Sequence, residues 1–370
     1  MLAQERTGRL TRYCFFFFFV FAIKASGFAS SGETQQRART ISVKTSGGNF
    51  DVNFHVVSER RNAIDPLAKI DSDQPCFFII HGFMDTAGTA GNDYQPAPWM
   101  LKIAAAIRSG KAVRSGPSAN IILVDWSPGS GDSLADYFQV VHNVQPVGEA
   151  IASFITKSNL DASKAILIGH SLGGHIAGAA GTKIKVVGPR HQLRAIIGID
   201  EAGIGFETAK AERTLDASDA SIVISIKTSA WCGNQRHLAT TSLYINPIRS
   251  ESGRLIGYHH PGAKPTFRDL SKLNIEADRQ SHFYGREEFV PALLRNQESF
   301  VAAGPAKPIS FKSLLSTRHG TYDVNVKIRP QSNPRKQRLE HAVYGKPQRS
   351  MQNDSVAHTK HEKETTLARN

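Results

Sequence analysis

The sequence predicts an α/β fold with a mainly parallel central sheet, and three observations predict it. Short apolar runs, Cys76–Ile80, Ala165–Ile168 and Ala195–Ile199, read as strands buried on both faces. Helical stretches alternate with them, as βαβ units require. The third run of evidence is local. Ala165–Ile168 feeds directly into Gly169-His170-Ser171-Leu172-Gly173, and small helix-compatible residues continue through Ala180. That is strand, sharp turn and helix with a serine at the apex, the G-x-S-x-G nucleophile elbow. The turn lifts the serine hydroxyl above the sheet, and Gly169 and Gly173 keep the closely approaching backbone clear of side chains. The amide of Leu172 opens the helix and is placed to donate to an oxyanion.

Taken in order, residues 1–29 read as a secretory signal. Arg6, Arg9 and Arg12 are basic, Cys14 to Ile23 is apolar, and Gly27-Phe28-Ala29 supplies a small-residue cleavage site. That apolar run is short for a bilayer span. Strands follow at Thr40–Lys44, Asp51–Val57 and Cys76–Ile80, the last ending in the turn His81-Gly82-Phe83. Turns at that edge of an open α/β sheet are where ligands bind. Trp99–Ile107 reads as an amphipathic helix, Asn120–Trp126 as a strand, and Val140–Lys157 as a long helix with Pro146 near its start. Beyond the elbow come strands at Ala195–Asp200 and Ile222–Lys227. Ala230–Asp278 looks irregular and reads as a lid or binding loop. Ser281–Leu294 reads as helix and Thr321–Ile328 as a last strand. From 330 to 370 the chain is polar and basic and reads as a disordered tail, holding the glycosylation sequon Asn353-Asp354-Ser355.

The 370 residues carry a net charge of +13, which favours anionic partners such as a membrane surface or a sulfated glycan. The charge is diffuse and no recognition motif accompanies it, so nucleic acid is not expected. Of the three cysteines, Cys14 lies in the leader, and Cys76 and Cys232 are either a pair or two free thiols.

A serine nucleophile needs a base, and the base needs an orienting carboxylate. Asp200 ends the strand Ala195–Ile199 on the same sheet edge as Ser171, whereas Asp216 and Asp219 precede a strand instead of ending one. For the base, His237, His259, His260, His282, His319 and His341 all lie downstream. His282 stands alone on what reads as a short turn before a helix, while His259 and His260 suit the mouth of a pocket.

Gly169–Gly178, Ile80-His81-Gly82-Phe83, Val124-Asp125-Trp126-Ser127, Ile197–Gly203, Leu215–Ala220 and Ser281-His282 together resemble the ordered sequence blocks of the pancreatic-type lipase family. That family includes triacylglycerol lipases, phospholipases A1 and yolk-protein relatives, and the resemblance covers about residues 40–328. It implies an α/β-hydrolase fold with Ser171 as nucleophile, Asp200 as acid and His282 as base, and with the amides of Phe83 and Leu172 as the oxyanion hole. It implies a secreted hydrolase of lipid esters acting at an interface without a cofactor, or a non-catalytic storage relative of the same fold. Several positions depart from the family pattern. Gly174 replaces an alanine, Glu201 a proline after the acid, and Lys227 a histidine. Glu201 either raises the proton affinity of the acid pair or points to solvent. Asp216 and Asp219 match the family's structural calcium loop, but Ala211 and Thr214 occupy its other side-chain positions, so no metal is expected. Nor is the family's C-terminal β-sandwich.

Overall fold

The computed structural model describes residues 39–58, 60–87, 96–109, 119–188, 191–260, 264–295, 300–301, 308–316, 320–328 and 339–342. The leader 1–29 and the sequon at Asn353 lie outside the described residues, as does most of 330–370, where a C-terminal sandwich was not expected. Of that last stretch, Leu339–Ala342 is described and forms a strand, where a structureless tail was expected.

The main sheet contains β1 (Thr40–Thr45), β2 (Gly48–Val56), β3 (Cys76–Ile80), β4 (Asn120–Asp125), β5 (Ala165–His170), β6 (Ala195–Ile199), β7 (Val223–Lys227), β8 (Thr241–Ile245) and β14 (Gly320–Val324). Their spatial order is β1-β2-β4-β3-β5-β6-β7-β8-β14, antiparallel at β1, β2 and β4 and parallel from β4 to β14. The apolar runs become the central strands because both faces of those strands are covered, so polar residues have nowhere to go. Alternate residues face opposite layers. Phe77, Ile79, Ile166 and Ile168 pack against α1 (Pro98–Ser109), and Phe78, Ile80 and Leu167 pack against α3 (Val144–Lys157) and α4 (Leu172–Val187). Truncating one of these, such as Ile168→Ala, costs about 2–5 kcal/mol.

Four sequence expectations are corrected here. The long helix is broken into α2 (Tyr137–Val141) and α3, and Pro146 sits in the first turn of α3, where its missing N–H costs no helical bond. The stretch Ala230–Asp278 is substantially ordered. It supplies β8 to the main sheet and a separate antiparallel sheet of β9 (Pro247–Arg249), β10 (Leu255–Tyr258) and β11 (Thr266–Phe267). His282 does not precede a helix. It lies inside α5 (Ile275–Tyr284), which continues through a π-helical turn at Gly285–Phe289 into α6 (Val290–Arg295). Thr321–Ile328 also splits, between β14 and β15 (Val326–Ile328), the latter in a small sheet with β12 (Phe300–Val301), β13 (Pro308–Ile309) and β16 (Leu339–Ala342).

Cys76 and Cys232 are free. Cys76 opens β3 at the amino edge of the sheet, and Cys232 follows β7 at the carboxyl edge. A five-residue strand separates those edges by roughly 16 Å, beyond the reach of a disulfide. Burial pushes the Cys76 thiol up to about 11, so it is inert at neutral pH.

Candidate active site

The elbow is where the backbone departs from ordinary geometry. Ser171 has φ 55° and ψ −122°, a region that L residues occupy only under constraint. The constraint is visible. The Ser171 N–H donates to Ile199 O at 3.0 Å. A Cβ on Gly169 would lie 2.1 Å from Gly173 O, and one on Gly173 would lie 2.4 Å from Ile80 O. Side chains at either position would force the turn open. Leu172 begins α4, so its amide is among the first-turn N–H groups with no intrahelical acceptor.

The turn after β3 approaches the serine closely. A Cβ on Gly82 would lie 2.9 Å from Ser171 Cβ. Phe83 is next in the chain, which brings its backbone beside Ser171 as well. The turn is fixed from below by Trp126, whose N–H donates to His81 Nε2 at 3.2 Å and whose Nε1–H donates to His81 O at 3.0 Å. The Met84 N–H donates to Ser130 O at 3.0 Å, fixing the far end.

Asp200 leaves β6 with φ 46° and is 1 % exposed. Its carboxylate is fully engaged. Oδ1 accepts from the amides of Thr228 at 2.6 Å and Ser229 at 3.1 Å, and Oδ2 accepts from the Ser229 hydroxyl. His282 Nδ1–H donates to Oδ2 at 2.7 Å. This bond fixes the tautomer of His282, leaving Nε2 as its basic nitrogen. The link from Nε2 to Ser171 Oγ is not closed by a hydrogen bond among the described residues, and such contacts tighten when substrate binds. Ser171 at 8 % and His282 at 7 % keep a solvent-facing rim that Asp200 lacks.

His282 is braced by a cluster whose members nothing in their sequence positions ties together. His170 Nε2–H donates to His282 O at 3.0 Å, and the two rings lie 4.5 Å apart. Arg286, one turn further on, points Nη1 at His170 Nδ1 from 3.4 Å and pairs with Asp85. Its guanidinium also covers the Phe283 ring at 4.2 Å and the Trp99 ring at 5.0 Å. Desolvation, then the charges of Arg286 and His282, hold His170 well below the usual histidine range, so it remains neutral.

The other sequence candidates fall elsewhere. His260 is buried, not at a pocket mouth. Its Nε2–H donates to Thr228 O at 2.6 Å and its ring stacks on Tyr284 at 4.3 Å, so it supports the loop that holds Asp200. His237 and His259 are exposed, and His319 lies outside the described residues. Asp216 and Asp219 are committed to the chain itself. Asp219 accepts from the Asp216 amide at 2.8 Å and the Thr182 hydroxyl at 2.7 Å, with Lys185 Nζ at 3.7 Å. An ammonium beside that carboxylate does not fit a calcium cradle, and among the described residues no group of three metal-binding side chains occurs.

Sequence reading missed Thr228 and Ser229. The signal was available: they follow β7, the strand next to β6, so their amides open onto the same edge as Asp200. It also left Glu201 undecided. Glu201 points inward and is 3 % exposed. Its Oε2 accepts from the Ser225 hydroxyl at 2.9 Å and lies 3.8 Å from Lys227 Nζ, while Oε1 has no partner. Burial raises its pKa.

Residues 32–249 match the family model described as Lipase, and the chain belongs to that family. The match contains Ser171 and Asp200 but stops short of His282. Phospholipase A1 4 of Polistes dominula is 29 % identical over 224 residues, 55 % of this chain and 66 % of that protein. Phospholipase A1 of Vespa crabro is 33 % identical over 199 residues, 51 % and 58 % respectively. Inactive pancreatic lipase-related protein 1 of Homo sapiens is 32 % identical over 182 residues, 48 % and 34 % respectively. The chain thus spans about two thirds or less of the length of the curated relatives it matches. Family and sheet topology together identify an α/β-hydrolase fold.

Proposed function

We propose that this member of the Lipase family hydrolyses carboxylic esters of lipids, with Ser171 as nucleophile, His282 as general base and Asp200 as the carboxylate that orients it. The observation that carries this reading is the 2.7 Å bond from His282 Nδ1 to a buried Asp200, on the sheet edge that also presents Ser171 at its strained elbow. Ser171 Oγ attacks the ester carbonyl and its proton passes to His282 Nε2. The negative charge forming on the carbonyl oxygen is met by the amides of Leu172 and Phe83. Collapse of the adduct expels the alcohol, which takes the proton from His282. Water, deprotonated by the same nitrogen, then releases the fatty acid and restores Ser171.

Exposed apolar side chains support a lipid surface as the place of action. Met84, Leu134, Phe138, Ile204 and Trp231 all follow the carboxyl ends of β3, β4, β6 and β7, around the nucleophile. The relatives named phospholipase A1 favour a phospholipid over a triacylglycerol, and the leader read from residues 1–29 favours action outside the cell.

The test is fatty-acid release from phosphatidylcholine and from triolein, run beside Ser171→Ala. Serine-dependent release from phosphatidylcholine supports the phospholipase reading, and release from triolein alone makes the chain a neutral lipase. Ser171→Ala is expected to lower turnover roughly 10⁶-fold. No serine-dependent release from either lipid, with no labelling by a fluorophosphonate probe, would leave a non-catalytic lipid-binding protein.

A further inference from the structure

A second concave site lies on the carboxyl edge of the sheet, away from the nucleophile. It is a cavity of about 440 Å³ against β8 and the β9–β10 hairpin. Three of its lining residues are arginines, Arg249, Arg254 and Arg268, and none is a carboxylate. Arg249 is already neutralised. It holds Asp323 through both nitrogens at 2.6 Å and donates to Gly253 O at 3.1 Å. The guanidiniums of Arg254 and Arg268 form no ion pair among the described residues. Two positive charges therefore face one hollow without a counter-ion.

Both arginines rise from fixed backbone. The Ser250 N–H donates to Arg254 O at 2.8 Å, and the Arg254 N–H donates to Ser250 Oγ at 3.1 Å, closing the hairpin end. The Arg268 N–H donates to Ile256 O at 2.8 Å, tying the end of β11 to β10. The neighbouring Tyr244 hydroxyl, pushed up by desolvation, stays a neutral donor. Desolvation, then Lys227 and Arg249, hold His237 below its ordinary range, so it too adds a ring nitrogen without charge.

We propose that this cavity is an anion site that takes a phosphate group, carried by a phospholipid headgroup or free in solution. Guanidinium forks match the spacing of phosphate oxygens, and the volume falls in the range of small-ligand sites. Position argues for the lipid. β8 is three strands from β5 in the sheet order, which sets the cavity roughly 14 Å to the side of the elbow. In a phospholipid the phosphate and the ester are only a few bonds apart. A phosphate in this cavity thus belongs to a neighbouring lipid, and the site holds the protein on a surface while Ser171 acts on another molecule.

The experiment uses the full chain carrying Ser171→Ala, so that its outcome does not depend on hydrolysis. Binding is measured to phosphatidylcholine vesicles with and without phosphatidic acid, to a sulfated polysaccharide, and to inorganic phosphate by calorimetry. Arg254→Glu with Arg268→Glu is expected to weaken binding to the phosphatidic acid vesicles at least roughly tenfold. Arg254→Lys with Arg268→Lys should retain part of it. In the otherwise native chain, the Glu pair should leave turnover of a soluble short-chain ester unchanged, which also reports that the variant is folded. Loss of phosphate binding in the Glu variant with unchanged vesicle binding supports the anion site with free phosphate as its source. Equal binding of vesicles and phosphate by parent and Glu variant overturns the proposal. So does a loss confined to a sulfated polysaccharide.

Discussion

Asp200 and Glu201 are adjacent carboxylates with opposite surroundings. Asp200 sits in a ring of donors: two amides, a hydroxyl and the imidazole of His282. Glu201 turns the other way, into the space beneath the elbow, with one hydroxyl and a lysine at 3.8 Å. That space exists because two glycines line it. A Cβ on Gly174 would lie 2.7 Å from Glu201 Cγ, and one on Gly198 would lie 2.0 Å from Glu201 Oε1. Lys227 completes the arrangement by donating to Asn234 O at 2.6 Å, while the Asn234 N–H donates to Glu201 O at 2.6 Å. Burial by itself therefore does not make a carboxylate part of the chemistry. Donors aimed at the charged form, and the imidazole of His282 within reach, separate Asp200 from its neighbour.

The comparison is broken most directly by removing each charge in turn. Asp200→Asn should lower ester turnover roughly 10⁴-fold, because the amide no longer holds His282 in the required tautomer. Glu201→Gln should stay within about tenfold of the native chain, since Glu201 touches none of the reacting groups. Equal losses in kcat for the two variants would erase the distinction.

Next in size is the buried pair. Lys227→Met strands Glu201 without its cation and should cost about 3–5 kcal/mol in denaturant unfolding. Adding Glu201→Gln to that variant should recover roughly half, because the remaining pair of neutral groups leaves no uncompensated charge. Additive losses would mean that the two side chains do not interact.

Gly174→Ala sharpens the steric side of the comparison. The new methyl meets Glu201 Cγ and should cost about 1–3 kcal/mol, and much less when Glu201→Ala is also present. The smallest effect is in pH dependence. The pKa of Glu201 is raised from 4.5 by burial. Above 4.5 the unfolded chain releases a proton that the native chain retains, so this group makes stability fall as pH rises through the window up to its raised folded value. Glu201→Gln should flatten that part of the slope in unfolding measured from pH 4 to 8.

Much of the fold was legible because the central strands are buried on both faces. Cys76–Ile80 and Ala165–Ile168 are apolar without interruption, and that pattern has few other homes. Thr241–Ile245 was not read as a strand, since Thr241 and Ser242 break the run. Its state is decided by the ladders of β7 and β14 on either side. His282 lies in a helix that its sequence neighbourhood does not announce. Ile275–Tyr284 is too polar to show helical periodicity, and the helix is instead started by the Asn274 side chain accepting from the Ala277 N–H at 2.9 Å. Within it, Asp278 accepts from the amides of Ala230, Trp231 and Cys232, binding the helix to the loop around Asp200.

The sequence alone determined most strands of the sheet and the elbow, and it singled out Ser171, Asp200 and His282 as candidates. Those features are local, because a buried strand, a turn too tight for side chains and a residue ending a strand each leave a mark within a few positions. Tertiary structure decided what cannot be marked locally. It joined Gly174, Glu201 and Lys227, three separate departures from the family pattern, into one buried group. It set His170 and Arg286 behind His282, and it faced Arg254 and Arg268 into one cavity. Charge and volume are balanced between side chains that meet only after the chain has folded, so their sequence positions carry no trace of the pairing.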